Sequence, residues 1–229
     1  MIAIARKNLS CLRLNPNSFL SNSNLHFFPA FQFFSTSKVE RQIPNLKIYD
    51  VLVNKHHFSP ESASLAASRS PKSRCPKRAD SVLSFFKENS FTTTQLEKIV
   101  IYYPPILGLR IERIRFKFNV FQDLGLSPEE IAQIIFSHIS MLRSSTKNRI
   151  IPSLSKLKDF LESGHEVARL LKRSAWFLTT DLDESLMPNV EILKSCGIPM
   201  VRIQHFLYIR PRCFLVKPHI MRKSVDKAI

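Results

Sequence analysis

Arg169, Lys172 and Arg173 stand at i, i+3 and i+4, the spacing that gathers side chains on one face of a helix. Other cations are also clustered: Arg110, Arg113 and Arg115 run into Lys117, Lys147 and Arg149 follow, Arg210 and Arg212 bracket Pro211, and Lys217 lies just beyond. A charge run at helical spacing is ordinarily a solvated face. A guanidinium nevertheless offers a planar fork that fits a phosphate or a guanine edge. Contacts of that kind follow a nucleic-acid backbone without reading its sequence. The balance of charge favours this chemistry. Lys and Arg number 34 against 18 Asp and Glu, a formal charge of +16 that attracts polyanions. Arg110, Arg113, Arg115, Lys147, Arg149, Arg169, Lys172, Arg173, Arg210, Arg212 and Lys217 are therefore the candidate nucleic-acid contacts.

Other chemistries find little support. There is no HExxH, no GxxxxGK[ST] phosphate loop and no GxSxG elbow, so no catalytic residue, metal or cofactor is expected. Asp181, Asp183 and Glu184 gather carboxylates as a metal site would. Their simpler role is at the positive end of a helix beginning "LDESLMPN", capped by Thr180 or Asp181. His138 and His205 read as packing or surface residues, and Trp176 as a core residue rather than a base-stacking platform. Cys11, Cys75, Cys196 and Cys213 show no CxxC spacing and predict reduced, mostly buried thiols. No uninterrupted apolar run reaches the roughly 18 residues a membrane span needs.

The elements that would position the cations recur along the chain. Leu107, Leu142, Leu178 and Phe214 are separated by 35, 36 and 36 residues, and Phe86, Phe121, Leu157 and Leu193 by the same intervals. Between them lie apolar triplets at i, i+3 and i+4: Leu96, Ile99, Val100; Ile131, Ile134, Ile135; Val167, Leu170, Leu171; Ile203, Phe206, Leu207. Each triplet lines one face of a helix. Thr92 with Gln95, Ser127 with Glu130 and Ser163 with Glu166 predict a capping box at the same place in three units. The fourth unit has Pro199 and Arg202 there, and proline suits a first helical turn.

Pro104 and Pro211 also share a unit position, where a residue without an N–H ends the second helix before a short apolar turn. Ile139 and Ala175 take that position in the middle units, so proline is a preference there. Two helices per unit and a period near 36 predict an all-α solenoid of about four regular repeats, 80–110, 111–146, 147–181 and 182–218, with an incomplete fifth at 219–229. With only 4 glycines, a turn-rich β fold is disfavoured.

The first 37 residues read as an address rather than as fold. They carry Arg6, Lys7 and Arg13, many Ser and Asn, and no acid before Glu40; "FFSTS" at 33–37 has the look of a mitochondrial processing junction. A disordered transit peptide is expected, with mitochondrion preferred and chloroplast as the alternative. Its removal leaves 34 − 3 = 31 basic against 18 acidic residues, about +13, so the charge belongs to the body of the protein. Residues 38–79 read as a degenerate partial repeat followed by a basic Ser- and Pro-rich linker.

"SVLSFFKENSFTTTQLEKIV" (81–100), "RSAWFL" (173–178), "LMPNVEILKSCGIP" (186–199) and "YIRPRCFL" (208–215) resemble the repeats of the mitochondrial transcription termination factor family, mTERF, and most of all its plant organellar branch. The resemblance covers roughly 43–229. It implies a left-handed superhelix of two α-helices and a 3-10 turn per unit, whose basic concave face holds nucleic acid. It also implies a role in organellar transcription termination or initiation, with organellar double-stranded DNA as the partner of a monomer. RNA is the alternative partner, since some plant members assist group II intron splicing. The chain stops inside the first helix of a fifth unit where longer relatives continue, so a short or truncated member is expected. A protein-interaction scaffold is the contrasting reading; it predicts exposed apolar residues where the cations should be.

Overall fold

The computed structural model describes residues 45–70 and 75–227, and no strand occurs among them. The expected transit peptide lies outside the described residues, as do Cys11 and residues 71–74 of the expected linker. The described chain forms two compact units, 45–142 and 143–227.

In the unit 45–142, α1 (Leu46–Asp50) runs into a π turn (Val51–Lys55), and α2 follows (Pro60–Arg69). Then come α3 (Pro76–Glu88), α4 (Thr93–Tyr102), a 3-10 turn (Pro104–Gly108), α5 (Ile111–Gln122), α6 (Pro128–Ser137) and a 3-10 turn (Ile139–Arg143). The expected linker is shorter than its composition suggests. Ser59 caps α2 through Ser62 N–H, and α3 already begins at Pro76, a first-turn proline whose fixed φ suits a helix start. The core is aromatic: Phe85 meets Phe118 edge-on at 5.0 Å, and Phe86 meets Phe91 at 4.8 Å. Such pairs add about 0.5–1.5 kcal/mol each beyond the area they bury.

The unit 143–227 contains a π turn (Thr146–Ile150), α7 (Ile151–Leu161), α8 (Gly164–Arg173), a 3-10 turn (Ala175–Leu178), α9 (Leu186–Ser195), α10 (Met200–Ile209), a 3-10 turn (Pro211–Leu215) and α11 (Pro218–Asp226). In both units the apolar markers are buried. Leu107, Leu142, Leu178 and Phe214 each close into a 3-10 turn, and all three residues of every triplet face inward.

Pro104 and Pro211 are the first residues of their 3-10 turns, as are Ile139 and Ala175. The second helix of a unit thus ends just before this position, whether or not proline occupies it. The capping boxes at Thr92 and Ser127 are complete. The third is half made: Ser163 Oγ accepts from Glu166 N–H at 3.4 Å, but the Glu166 carboxylate turns to Arg169 at 3.3 Å. Pro199 is the N-cap of α10 rather than its first helical residue.

The single-residue difference between the 35- and 36-residue intervals has a location. From Leu107 to Phe121 is 14 residues, whereas Leu142 to Leu157 and Leu178 to Leu193 are each 15. The extra residue falls in the π turn in one case and in the hydrogen-bonded turn at 182–185 in the other. Pro152 and Pro188 follow these segments at the same unit position, where α5 has Phe116. Proline has no N–H, and its ring crowds the carbonyl four residues back, so regular α-helix cannot continue through it from 148 or from 184. A wider turn accommodates both the proline and the additional residue. This also corrects the expected helix at "LDESLMPN". It starts only at Leu186, and Asp181 lies in the preceding turn, where its Oδ1 accepts from Asp183 N–H at 3.1 Å.

Candidate nucleic-acid interface

The candidate cations divide by environment. In the unit 45–142, Arg110 is the exposed N-cap of α5, and Arg113 is exposed one turn on. Arg115 leaves that face, because two residues on a helix differ by about 200°; its guanidinium lies 5.4 Å from the Phe85 ring centroid. Lys117, which continues the basic run in the sequence, is no surface cation. It is 3 % exposed, and its Nζ donates to the Leu142 carbonyl at 2.9 Å. Burial, and then the nearby Arg113 charge, hold its pKa below the ordinary lysine value.

In the unit 143–227, Lys147 is exposed on the π turn, while Arg149 on the same turn pairs with Asp181 at 3.1 Å. The Arg149 hydrogen bond holds the Asp181 carboxyl below its usual range, and Lys156 pairs with Asp183. These carboxylates are thus partners of cations, and among the described residues no group of three or more His, Cys, Asp or Glu side chains is placed to hold a metal. Arg169 lies over the Tyr208 ring at 4.6 Å, and Lys172 and Arg173 are exposed at the end of α8. Cations there also complement the negative end of the helix. Arg210 caps the end of α10, and Lys217 is the N-cap of α11. Arg212 lies over the Trp176 ring at 5.8 Å, so Trp176 is half-buried beneath a cation rather than sunk in the core. His138 is buried and His205 is exposed. None of the described cysteines is buried: Cys75 is exposed, and Cys196 and Cys213 are intermediate, because the turns that carry them lie at the surface.

A set of buried polar residues also recurs with the repeat. Lys117, Ser153 and Asn189 follow one another at 36-residue intervals, and each is buried on the first helix of its unit. Asn189 Nδ2 donates to the Phe214 carbonyl at 3.0 Å and to the Val216 carbonyl at 2.8 Å. Leu142 and Phe214 are equivalent residues, each 25 positions after its donor. Polar residues recurring at a fixed place within an apolar face were a legible signal.

Helical units with a repeated register, buried turn markers and exposed cations beside the turns define an α-helical repeat protein. The mTERF family model matches residues 38–173 and again 112–228, overlapping matches that a repetitive chain permits. The chain belongs to the mTERF family, whose members are helical-repeat proteins that bind nucleic acid. No curated protein matches the chain. No helix among the described residues is long and apolar enough to cross a membrane.

Proposed function

We propose that this protein is an organellar gene-expression factor that binds double-stranded DNA as a monomer and regulates or terminates transcription. The reading rests on family membership together with one observation: exposed cations cluster beside the turns, with Arg110 and Arg113 after one and Arg210, Arg212 and Lys217 around another. Arg110 and Lys217 are each the N-cap of a first helix, and Arg210 occupies the C-cap position that Ser174, next to Arg173, holds in the preceding unit. Exposed cations grouped beside a turn suit contact with the phosphates of a nucleic-acid backbone. The test is a titration of a labelled duplex at several salt concentrations. Binding by phosphate neutralisation gives a log K against log salt slope of about −0.9 per contact, and a slope near zero refutes the reading.

Group II intron RNA is the alternative ligand, and competition between duplex DNA and structured RNA separates the two. The exposed Val201 and Ile209 on α10 are the observation behind a protein-interaction role. Mitochondrial import, with the chloroplast as alternative, belongs to the same proposal. It follows from the acid-free first 37 residues and is tested by recovering crosslinked nucleic acid with the tagged protein from each purified organelle.

A further inference from the structure

The 3-10 turns are closed in two different ways. After Pro104–Gly108, Leu109 N–H returns to the Ile106 carbonyl at 3.0 Å, and after Ala175–Leu178 both Thr179 and Thr180 N–H return to Trp176 at 3.0 Å. The first helices facing these turns carry Val82 and Ser153 at the buried polar position, and among the described residues neither bonds its turn. The other two turns lack such a closing backbone bond from Ser144 or Val216 among the described residues. These are the turns to which Lys117 and Asn189 donate. Each of these two turns is thus tied to its first helix by a side-chain donor. The two kinds of bond meet different carbonyls: the backbone closures end on Ile106 and Trp176, and the side-chain bonds end on Leu142 and Phe214, the counterparts of Leu107 and Leu178.

Asn189 does more than satisfy one carbonyl. It bonds both Phe214 and Val216, spanning the chain between Arg212 and Lys217, while Arg212 rests against Trp176 on the preceding turn. Arg210, Arg212 and Lys217 are all surface residues, whereas Asn189 is fully buried. We infer that Asn189 is a positioning residue: it fixes the turn 211–215 and its exit to Lys217, so that Arg210, Arg212 and Lys217 meet the phosphates of a nucleic acid already oriented. This inference rests on the nucleic-acid reading above. Its physical basis is preorganisation, since side chains held in place before binding lose less freedom on binding.

The repeat itself supplies the test variants. Asn189→Ser introduces the residue found at 153, which is tolerated when buried there but lacks the reach. Asn189→Lys introduces the residue found at 117, which keeps a donor. Hydrogen exchange of residues 211–217 and duplex titration across salt are measured on the full chain, corrected for the folded fraction. For Asn189→Ser, the expected result is faster exchange confined to 211–217. Binding should be about tenfold weaker, the worth of one charge-assisted hydrogen bond, and the salt slope shallower by about 0.9 for each phosphate that is no longer neutralised. Asn189→Lys should restore exchange protection and affinity together. Faster exchange with unchanged affinity and slope overturns the inference, as does weaker binding with unchanged exchange. Wild-type protein that binds neither duplex nor RNA overturns the nucleic-acid reading itself, and the inference with it.

Discussion

Lys117 and Arg113 lie one helical turn apart in the same basic run, yet they do different work. Lys117→Met leaves the Leu142 carbonyl without its donor and should lower stability by about 1–2 kcal/mol in urea unfolding, with duplex affinity per folded molecule unchanged. Arg113→Ala should do the reverse, with the same melt, weaker binding and a shallower salt slope. Residue type and spacing alone did not separate the two. What separates them is the angular position of Lys117 beside the buried Ile114, Phe118 and Phe121, and that could have been read from the helical register. A second contrast concerns protons. His56 is buried, its Nε2 lies 2.9 Å from Asp80 Oδ1, and Asp80 also holds Lys55 at 2.6 Å. Desolvation outweighs the Asp80 hydrogen bond and holds the His56 pKa below 6.5. The folded chain therefore takes up this proton less readily than the unfolded chain. The stability His56 contributes is present above pH 6.5 and drains away as pH falls through the lower folded value. Urea midpoints measured from about pH 7.5 to 5 should fall, and His56→Gln should flatten that fall.

At the scale of elements, the helices and the short turns were largely legible. Apolar triplets, caps and proline positions each recur, and every marker residue proved buried. The less legible parts were those where a residue has two competing partners. Glu166 is at the right distance for a capping box but is drawn to Arg169, so Ser163→Ala should cost less than Ser127→Ala, whose box is complete and worth about 1 kcal/mol in thermal unfolding. The link between first and second helices needs a left-handed residue. Gly125 and Gly197 supply it at φ 81° and 76°, while Glu162 adopts φ 59° with a β-carbon. Glu162→Gly should therefore stabilise the unit 143–227 by about 0.5–1 kcal/mol, read as a higher urea midpoint. The π turn Thr146–Ile150 carries its own prediction. Deleting Asn148 together with Pro152→Phe gives this segment the spacing and the proline-free start of α5 and should leave a cooperatively folded protein. Deleting Lys158 instead moves Phe160 and Leu161 off the buried face and should abolish the cooperative transition.

Across the whole molecule, charge and periodicity together carried the reading: a body of about +13 and a unit of 35 or 36 residues. Which cations are free to meet a polyanion was not legible, because pairing depends on distant chain. Arg149 is held by Asp181, 32 residues away, whereas Arg212 lies over Trp176, 36 residues away, and stays exposed. Replacing Arg110 and Lys217 together with Ala should weaken duplex binding more than replacing Arg149 and Arg169, both already engaged with acids. The bonds from Lys117 and Asn189 each join a first helix to the turn ending its own unit, never to that of another. Where such a latch exists, the module brings its own, and a stretch running from that first helix to its following turn is the natural cassette for transplanting between members of the family.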